Sequence, residues 1–245
     1  MGNVRAAVLA AGRGIRMGSD RPKTLVPVGE RDPLLHYLLA GLKSAGIDDL
    51  IVATGYRAAE VREFVTAEWG EGNLTFVFNA RYSSWGNFHS VRVVLDQSPG
   101  FDLLVVNSDV VVHPDVFRRV VEKEGDLVLA VEERRNLDTE DMRVELRGDR
   151  VRAIGKNLKV VRSHGEFDGV SLIRTRAARA FLDVATNWEW RSSTTGYYED
   201  AYNAILTQVD ARAALVQPGE YAEVDTPEDL AAAEAVINRH AAAWQ

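Results

Sequence analysis

The chain has 245 residues, 46% of them hydrophobic and 27% charged, with a formal net charge of −7, which is typical of a globular protein that buries a sizeable core. The negative charge argues against nucleic acid as a partner, and the absence of cysteine excludes disulfides and thiolate metal sites and favours a cytoplasmic location. No apolar stretch approaches the roughly 20 residues that span a bilayer. The first residues predict a strand and not a signal peptide, so we expect no membrane association.

Strand and helix patterns alternate through the first half of the chain. Asp32 is the expected N-cap of the first helix, with Pro33 at its first helical position and Gly46 at its end. Strands separated by helices indicate right-handed βαβ crossovers and a mostly parallel sheet. The predicted strands cover residues 4–8, 50–54, 74–78 and 102–106, and the predicted helices cover residues 32–46, 58–68, 87–96 and a stretch after Pro114.

In the second half of the chain, the sequence pattern predicts shorter extended segments followed by helices. Gly148-Asp149 is a hairpin turn signal, and Thr226-Pro227-Glu228-Asp229 resembles a capping box that opens a final helix. No linker or repeat divides the chain, so we predict a single domain over 1–245, with a first half of about 1–125 and a second half of about 126–245. The predicted strands cover residues 127–131, 143–146, 150–154 and 169–173, and further helices begin near Thr175 and Glu199.

The loop after the first predicted strand is rich in glycine and basic side chains. Residues 9–23 are LAAGRGIRMGSDRPK. Gly12 and Gly14 would let backbone N–H groups approach phosphate oxygens. The loop has Met17 in place of the third glycine of a dinucleotide fingerprint, and it lacks the Gly-Lys-Ser/Thr of a Walker A loop. With positive charge from Arg13, Arg16 and Lys23, it predicts a binding site for a polyanion.

Two segments place carboxylates where they could hold a metal ion. Asp109 follows a hydrophobic strand, at the edge where the phosphate-binding loop is expected. Glu223 and Asp225 flank one apolar residue, and in an extended segment residues two apart point the same way. Mg²⁺ takes one or two carboxylates together with phosphate oxygens and water. A turn role for Asp109 and a capping role for Asp225 are the alternatives.

The loop resembles the signature L-A-A-G-x-G-x-R-M…P-K of nucleotidyltransferases that make activated sugars and alcohols. Residues 79–90, NARYSSWGNFHS, resemble the N-x-x-Y…N-N-x-x-S segment of the small cytidylyltransferases, which include phosphocholine, inositol-1-phosphate and phosphonate enzymes. Gly86 replaces the first of the paired asparagines, and this departure weakens the preference for cytosine over uracil or another base. Further matches in the expected order are Gly55-Tyr56, Gly169, Tyr198-Glu199-Asp200 and Glu223-Val224-Asp225.

The resemblance implies an α/β fold, a Rossmann-like α/β/α sandwich with a mostly parallel mixed central sheet of the nucleotidyltransferase or GT-A-like type. In the single domain, about 1–125 would be the nucleotide-binding half and about 126–245 the substrate-binding half. It implies a Mg²⁺-dependent reaction of CTP with a small phosphorylated alcohol or phosphonate, giving a CDP-alcohol or CMP-phosphonate and pyrophosphate. The implied catalytic residues are Lys23 and Arg16, and the implied metal ligands are Asp109, Glu223 and Asp225. The implied nucleotide-binding residues are Leu9, Ala10, Ala11, Gly12, Arg13, Gly14, Lys23, Asn87, Ser90 and Asp109.

For the acceptor, the expected substrate-binding residues are Lys156, Gly169, Tyr198, Glu199, Asp200 and Trp85. Lys156 resembles a family lysine near the substrate phosphate, and an ordinary turn lysine is an equal alternative. Aromatic rings backed by carboxylates in this half would suit a cationic head group such as choline or an aminoethyl group. A packed aromatic cluster beside an acidic helix start is the alternative.

Three other functions fit parts of the pattern. A sugar-1-phosphate nucleotidyltransferase shares the loop and both acidic segments. A glycosyltransferase is suggested by Asn107-Ser108-Asp109, which resembles a weakened D-x-D motif, but it leaves Pro22-Lys23 unexplained. A non-catalytic nucleotide sensor would have the same fold and would bind a nucleoside triphosphate without converting it to products. The nucleoside triphosphate, the acceptor and the oligomeric state, for which a homodimer is one option, stay open.

Overall fold

The computed structural model describes residues 3–191 and 194–244. The strands in these ranges are β1 (Val4–Ala10), β2 (Leu50–Thr54), β3 (Leu74–Phe78), β4 (Asp102–Asn107), β5 (Val110–Val112), β6 (Leu127–Glu133), β7 (Arg143–Arg147), β8 (Arg150–Ile154), β9 (Gly165–Ile173), β10 (Ala211–Val216) and β11 (Tyr221–Glu223). The helices are α1 (Leu34–Ser44), α2 (Ala58–Trp69), α3 (Phe88–Asp96), α4 (Pro114–Glu122), α5 (Thr175–Trp190), α6 (Tyr198–Ile205) and α7 (Leu230–Arg239).

Nine strands form the central sheet in the order β3-β2-β1-β4-β9-β6-β10-β8-β7. The first four pair in parallel, and β10 is parallel to β6. Strand β9 lies between β4 and β6 and is antiparallel to both. Strand β8 is antiparallel to both β10 and β7, so seven of the nine strands run in one direction and β8 and β9 in the other. The sheet is therefore mixed, with mostly parallel strand directions, as predicted. Strands β5 and β11 form a separate two-stranded antiparallel sheet.

Helices cover both faces of the central sheet. Alternate side chains of β1 point to opposite faces, which is why its apolar run is continuous. Val8 packs on one face with Leu38 of α1, while Ala7 packs on the other face with Val91 of α3. The result is the expected α/β/α sandwich. Among the helices of the described residues, none is long and apolar enough to cross a membrane.

The differences from the predicted elements concern boundaries and short strands. Pro33 is itself the N-cap of α1, with extended backbone at ψ 159°, so Asp32 lies outside the helix. Strand β9 begins four residues earlier than predicted, at Gly165, and strands β5, β10 and β11 were not predicted. Periodicity gives little signal over three to six residues, and pairing partners decide whether such segments become strands. The capping box at Thr226 is present, but it opens a short 3-10 turn before α7.

Candidate active site

The glycine-rich loop leaves the carboxyl end of β1 and returns to that edge of the sheet at Lys23. Gly14 takes a left-handed backbone, with φ 66°, at the start of a 3-10 turn over Ile15–Met17. A Cβ at Gly14 would lie 2.3 Å from the Cβ of Lys23. Glycine is required at this position because the turn needs positive φ and the Lys23 side chain occupies the space beside it.

Lys23 lies between two carboxylates. Its Nζ is 2.9 Å from Oδ2 of Asp109 and 2.5 Å from Oδ1 of Asp225, and its side chain is 10% exposed. Burial lowers the pKa of Lys23, but the two carboxylates outweigh this effect and raise the pKa above its ordinary value. The exposed Arg16 guanidinium lies 2.8 Å from the other oxygen of Asp225. The cations of Lys23 and Arg16 therefore lie beside the carboxylates of Asp109 and Asp225.

Three acids are gathered at the same edge. Ligand atoms of Asp109, Glu223 and Asp225 lie within 4.8 Å of one another. Strand β11 brings Glu223 opposite Val110 of β5, directly after Asp109. The Asp225 amide donates to Oδ2 of Asp229 over 2.9 Å, which fixes the chain after β11.

The donor set fits a hard divalent cation. Carboxylate oxygens are the ligands that Mg²⁺ and similar ions prefer. Oδ1 of Asp109 is buried and has no hydrogen-bond partner in the described part of the chain, as expected of an oxygen that awaits a ligand. Burial, followed by the charges of Asp109 and Asp225, raises the pKa of Glu223 to about 7. A cation bound here would reduce the repulsion among the carboxylates of Asp109, Glu223 and Asp225.

A cavity of about 680 Å³, the loop cavity, lies between the glycine-rich loop and the carboxyl ends of β1 and β4. The predicted residues that line it are Leu9, Ala11, Gly12, Arg13, Gly14, Arg16, Lys23, Asn87, Ser90, Asp109 and Asp225. Ala10 lies behind the cavity wall, buried and paired with Thr54 of β2. Residues not predicted as ligands, which line it as well, are Ile15, Thr24, Tyr56, Tyr82, Ser83, Asn107 and Ser108.

Hydrogen bonds connect the polar residues beneath the loop cavity. Oδ1 of Asn87 accepts a hydrogen bond from the Tyr198 amide over 3.0 Å. The Tyr198 hydroxyl donates to Oδ1 of Asn107 over 3.0 Å. Asn79 donates to the Ser90 hydroxyl over 2.9 Å. These bonds fix α3 and α6 relative to the end of β4, so Tyr198 and Ser90 act as supports for the cavity wall.

A close backbone contact explains why position 86 is glycine and not asparagine. Its amide donates to the Thr194 carbonyl over 2.5 Å, and a Cβ at Gly86 would lie 2.1 Å from the carbonyl oxygen of Gly196. The segment before α6 therefore passes too close for an asparagine at this position. The same close passage brings the Tyr198 amide to Asn87. The departure seen in the sequence thus reflects a local backbone contact.

A second cavity of about 460 Å³, the acidic cavity, adjoins the loop cavity. Both are lined by Arg16, Asn87, Asn107, Asp109 and Asp225. Nine carboxylates and two cationic side chains line the acidic cavity. The carboxylates belong to Asp109, Asp138, Glu140, Asp141, Glu166, Glu199, Glu223, Asp225 and Asp229, and the cations are Arg16 and Lys156. The acids at 138–141 were not predicted, although three acids in four residues are a visible signal.

The predicted substrate-binding residues fall into three groups. Lys156, Gly169 and Glu199 line the acidic cavity. Asp200 accepts from the Tyr197 amide over 3.0 Å at the start of α6 and lines a neighbouring cavity of about 470 Å³. Tyr198 is fully buried, and Trp85 stacks on Phe88 with ring centroids 6.1 Å apart. Trp85 therefore belongs to the packed aromatic cluster that the sequence offered as the alternative.

Comparisons with known proteins agree with this architecture. A family model described as the MobA-like NTP transferase domain matches residues 6–187. CMP-5'-(3-aminopropyl)phosphonate synthase of Streptomyces rubellomurinus is 31% identical over 244 residues, covering 92% of this chain and 37% of that protein. Choline-phosphate cytidylyltransferase of Streptococcus pneumoniae is 32% identical over 118 residues, covering 47% of this chain and 48% of that protein. These matches span less than half the length of both curated relatives.

Solved structures share the fold. The CTP:phosphocholine cytidylyltransferase of Streptococcus pneumoniae superposes with a TM-score of 0.79 at 21% identity, covering 96% of this chain and 99% of that one. The inositol-1-phosphate CTP transferase of T. maritima superposes with a TM-score of 0.78 at 20% identity, covering 96% and 97%. At this level of identity the likeness establishes the architecture, a nucleotidyltransferase-type α/β/α sandwich.

Proposed function

Because this chain belongs to the MobA-like NTP transferase family, we propose that it is a magnesium-dependent cytidylyltransferase. Its substrates are CTP and a small phosphorylated alcohol or phosphonate, and its products are a CDP-alcohol or CMP-phosphonate and pyrophosphate. One observation carries the proposal: the loop cavity and the acidic cavity meet at Arg16, Asp109 and Asp225. Two phosphate-bearing substrates bound in the two cavities would bring their reacting groups together at these residues.

The reaction needs positive charge more than it needs a protein nucleophile. An oxygen of the acceptor phosphate or phosphonate attacks the α-phosphorus of CTP; that O–P bond forms while the bond to the β-phosphate oxygen breaks, and pyrophosphate leaves. Lys23 and Arg16 line the loop cavity and would stabilise the charge on the α-phosphate and on the leaving group. A Mg²⁺ ion held by Asp109, Glu223 and Asp225 would neutralise phosphate charge and orient the substrates.

The choice of CTP and of a small acceptor is supported by the relatives. The two curated relatives are a CMP-5'-(3-aminopropyl)phosphonate synthase and a choline-phosphate cytidylyltransferase. Tyr56 and Tyr82 line the loop cavity, and aromatic rings suit a nucleotide base because they can stack on it. The absence of cysteine supports the accompanying expectation of a cytoplasmic enzyme.

Pyrophosphate release tests the proposal directly. We would supply Mg²⁺ and each of CTP, UTP, GTP, ATP and dTTP, paired with phosphocholine, 2-aminoethylphosphonate, inositol-1-phosphate or glucose-1-phosphate. Release that requires both CTP and a small phospho-alcohol or phosphonate is the expected result, and Asp225→Ala should abolish it while the far-ultraviolet circular dichroism spectrum is kept. Release only with glucose-1-phosphate would assign the chain to sugar activation instead. Tight triphosphate binding without any release would identify a sensor.

A further inference from the structure

Five of the described residues line both the loop cavity and the acidic cavity, and they mark the boundary where the two substrates would meet. They are Arg16, Asn87, Asn107, Asp109 and Asp225. The charged members of this set are already engaged, because Arg16 pairs with Asp225 and Lys23 holds Asp109. Asn87 is a predicted nucleotide-binding residue. Asn107, the last residue of β4, has no role assigned from the sequence.

The side-chain amide of Asn107 has a defined orientation. Tyr198 is fully buried at the start of α6, and its hydroxyl donates to Asn107 Oδ1 over 3.0 Å. No residue in the described part of the chain accepts a hydrogen bond from Asn107 Nδ2, which therefore keeps two N–H donors. Since Asn107 is only half-buried and lines both cavities, these donors are available to a ligand at the boundary between them.

Gly169 leaves the space that the Asn107 amide needs. It has a left-handed backbone with φ 69°, and a Cβ at this position would lie 2.7 Å from Asn107 Nδ2. Glycine is therefore required here both by the positive φ and by the close contact. Because Gly169 lines the acidic cavity, the contact places Nδ2 at the edge of that cavity.

The neighbouring carboxyl group of Glu199 agrees with this orientation. It lies beside the Tyr198 hydroxyl, and burial raises the pKa of Glu199 from 4.5 to about 7. Below that pH the carboxyl is protonated and does not draw the Tyr198 proton away from Asn107 Oδ1. Tyr198 and Glu199 are both buried, so water has little access to this hydrogen bond.

We propose that Asn107 is a catalytic residue that donates a hydrogen bond from Nδ2 to a non-bridging oxygen of the nucleotide α-phosphate, with Tyr198 as its positioning residue. The inference rests on the proposed function, because it assigns a role within that reaction. The α-phosphorus is the atom at which one O–P bond forms and the other breaks, so it must lie where the two cavities meet. A preorganised donor there stabilises the charge on the α-phosphate oxygens in the transition state. The N–H bonds of Asn107 stay intact, and no proton is transferred.

Sulfur substitution at the α-phosphate tests this contact, because sulfur accepts hydrogen bonds more weakly than oxygen. We would measure pyrophosphate release from CTP and from the two diastereomers of α-thio-CTP, with Mg²⁺ and with the sulfur-binding ion Cd²⁺. The wild type should use one diastereomer about tenfold more slowly than CTP with either ion. Asn107→Ala should slow CTP about 100-fold and reduce that ratio to below about threefold. If another triphosphate is the substrate, its α-thio diastereomers replace those of CTP.

Tyr198→Phe and Tyr202→Phe form a matched pair, and they test the inference even if Asn107→Ala does not fold. Both remove a buried hydroxyl from α6, but Tyr202 bonds to Ser171 over 2.8 Å and lines neither cavity. Tyr198→Phe should lower kcat about tenfold and weaken the sulfur discrimination, because Asn107 loses its orienting bond. Tyr202→Phe should leave kcat and the discrimination within about twofold of the wild type.

The outcomes separate this contact from a structural role and from the proposed function. Equal slowing of CTP and both thio analogues by Asn107→Ala would overturn the inference, because a general defect does not distinguish oxygen from sulfur. Recovery of the slow diastereomer with Cd²⁺ would assign that oxygen to the metal ion and also overturn it. Release from CTP without any sulfur discrimination would keep the proposed function and refute the contact.

Calorimetric affinities for the same three nucleotides do not depend on turnover. Suppose that the wild type binds one thio diastereomer more weakly than CTP, that Asn107→Ala removes this difference, and that no acceptor gives pyrophosphate release. That result would support the Asn107 contact and refute the proposed function. Affinity ratios that are the same in the wild type and in Asn107→Ala would overturn the contact in the bound state.

Discussion

The Lys23 ammonium contacts Asp109 and Asp225 and lines the loop cavity. We predict that Lys23→Ala lowers kcat/KM for CTP by about 100- to 1,000-fold, because removing one preorganised charge from a transition state costs about 3–4 kcal/mol. Steady-state pyrophosphate release measures the effect. Lys159→Ala, at an exposed position, is the matched control and should stay within twofold. A normal rate for Lys23→Ala would remove this lysine from the mechanism.

Glu199 should make the protein less stable as the pH rises. Burial raises its pKa from 4.5 to about 7, and the charged or titratable groups around it are Tyr198, Asp200, Lys156 and Tyr202. Since the folded state keeps the proton to a higher pH than the unfolded state, this group's contribution falls between pH 4.5 and 7, by up to about 3 kcal/mol.

Urea unfolding of Glu199→Gln at two pH values checks this sign. At pH 8 the variant should have a free energy of unfolding about 1–3 kcal/mol higher than the wild type, because it buries no charge. At pH 4.5 the difference should nearly vanish. A variant that is destabilised equally at both pH values would show that Glu199 is held in its charged form by an unrecognised partner.

At the scale of elements, the contact of Gly86 with the segment before α6 fixes one wall of the loop cavity. Gly86→Ala would place a Cβ 2.1 Å from a backbone oxygen, so we predict a loss of about 1–3 kcal/mol of stability from overpacking. CTP affinity should fall as well, because Asn87 shifts with its neighbour. Thermal unfolding and CTP titration measure both effects. Gly72→Ala, with open space around it, should change neither.

The elements were predictable in proportion to their length and periodicity. The long apolar strands and the stripe of α1 have strong local patterns, and the structure confirms them with boundary shifts of a few residues. Strand β11 has three residues and no periodic signal, yet it carries Glu223. Its conformation depends on pairing with β5, and such pairing between distant segments is not encoded in either segment alone.

For the whole molecule, the nucleotide-binding half and the substrate-binding half share one sheet. Strand β9 of the second half pairs with β4 of the first half over four residue pairs. We therefore predict one cooperative unfolding transition, with equal calorimetric and van't Hoff enthalpies. Differential scanning calorimetry is the measurement. Two resolved transitions, or a CTP-stabilised transition beside an unaffected one, would contradict the single domain.

The amino-acid sequence by itself determined the family, the glycine-rich basic loop, and the acids that form the cluster at the sheet edge. These follow from chemistry that is local in the chain: glycines beside arginines, and carboxylates directly after apolar strands. Tertiary structure decided which distant residues meet. The contact of Lys23 with Asp225 joins residues 202 positions apart. The burial of the Glu199 oxygen, which has no partner among the described residues, and the crowding at Gly86 arise only when distant segments pack together. Burial and contact across the chain depend on how strands order and helices dock, and no local pattern specifies that arrangement.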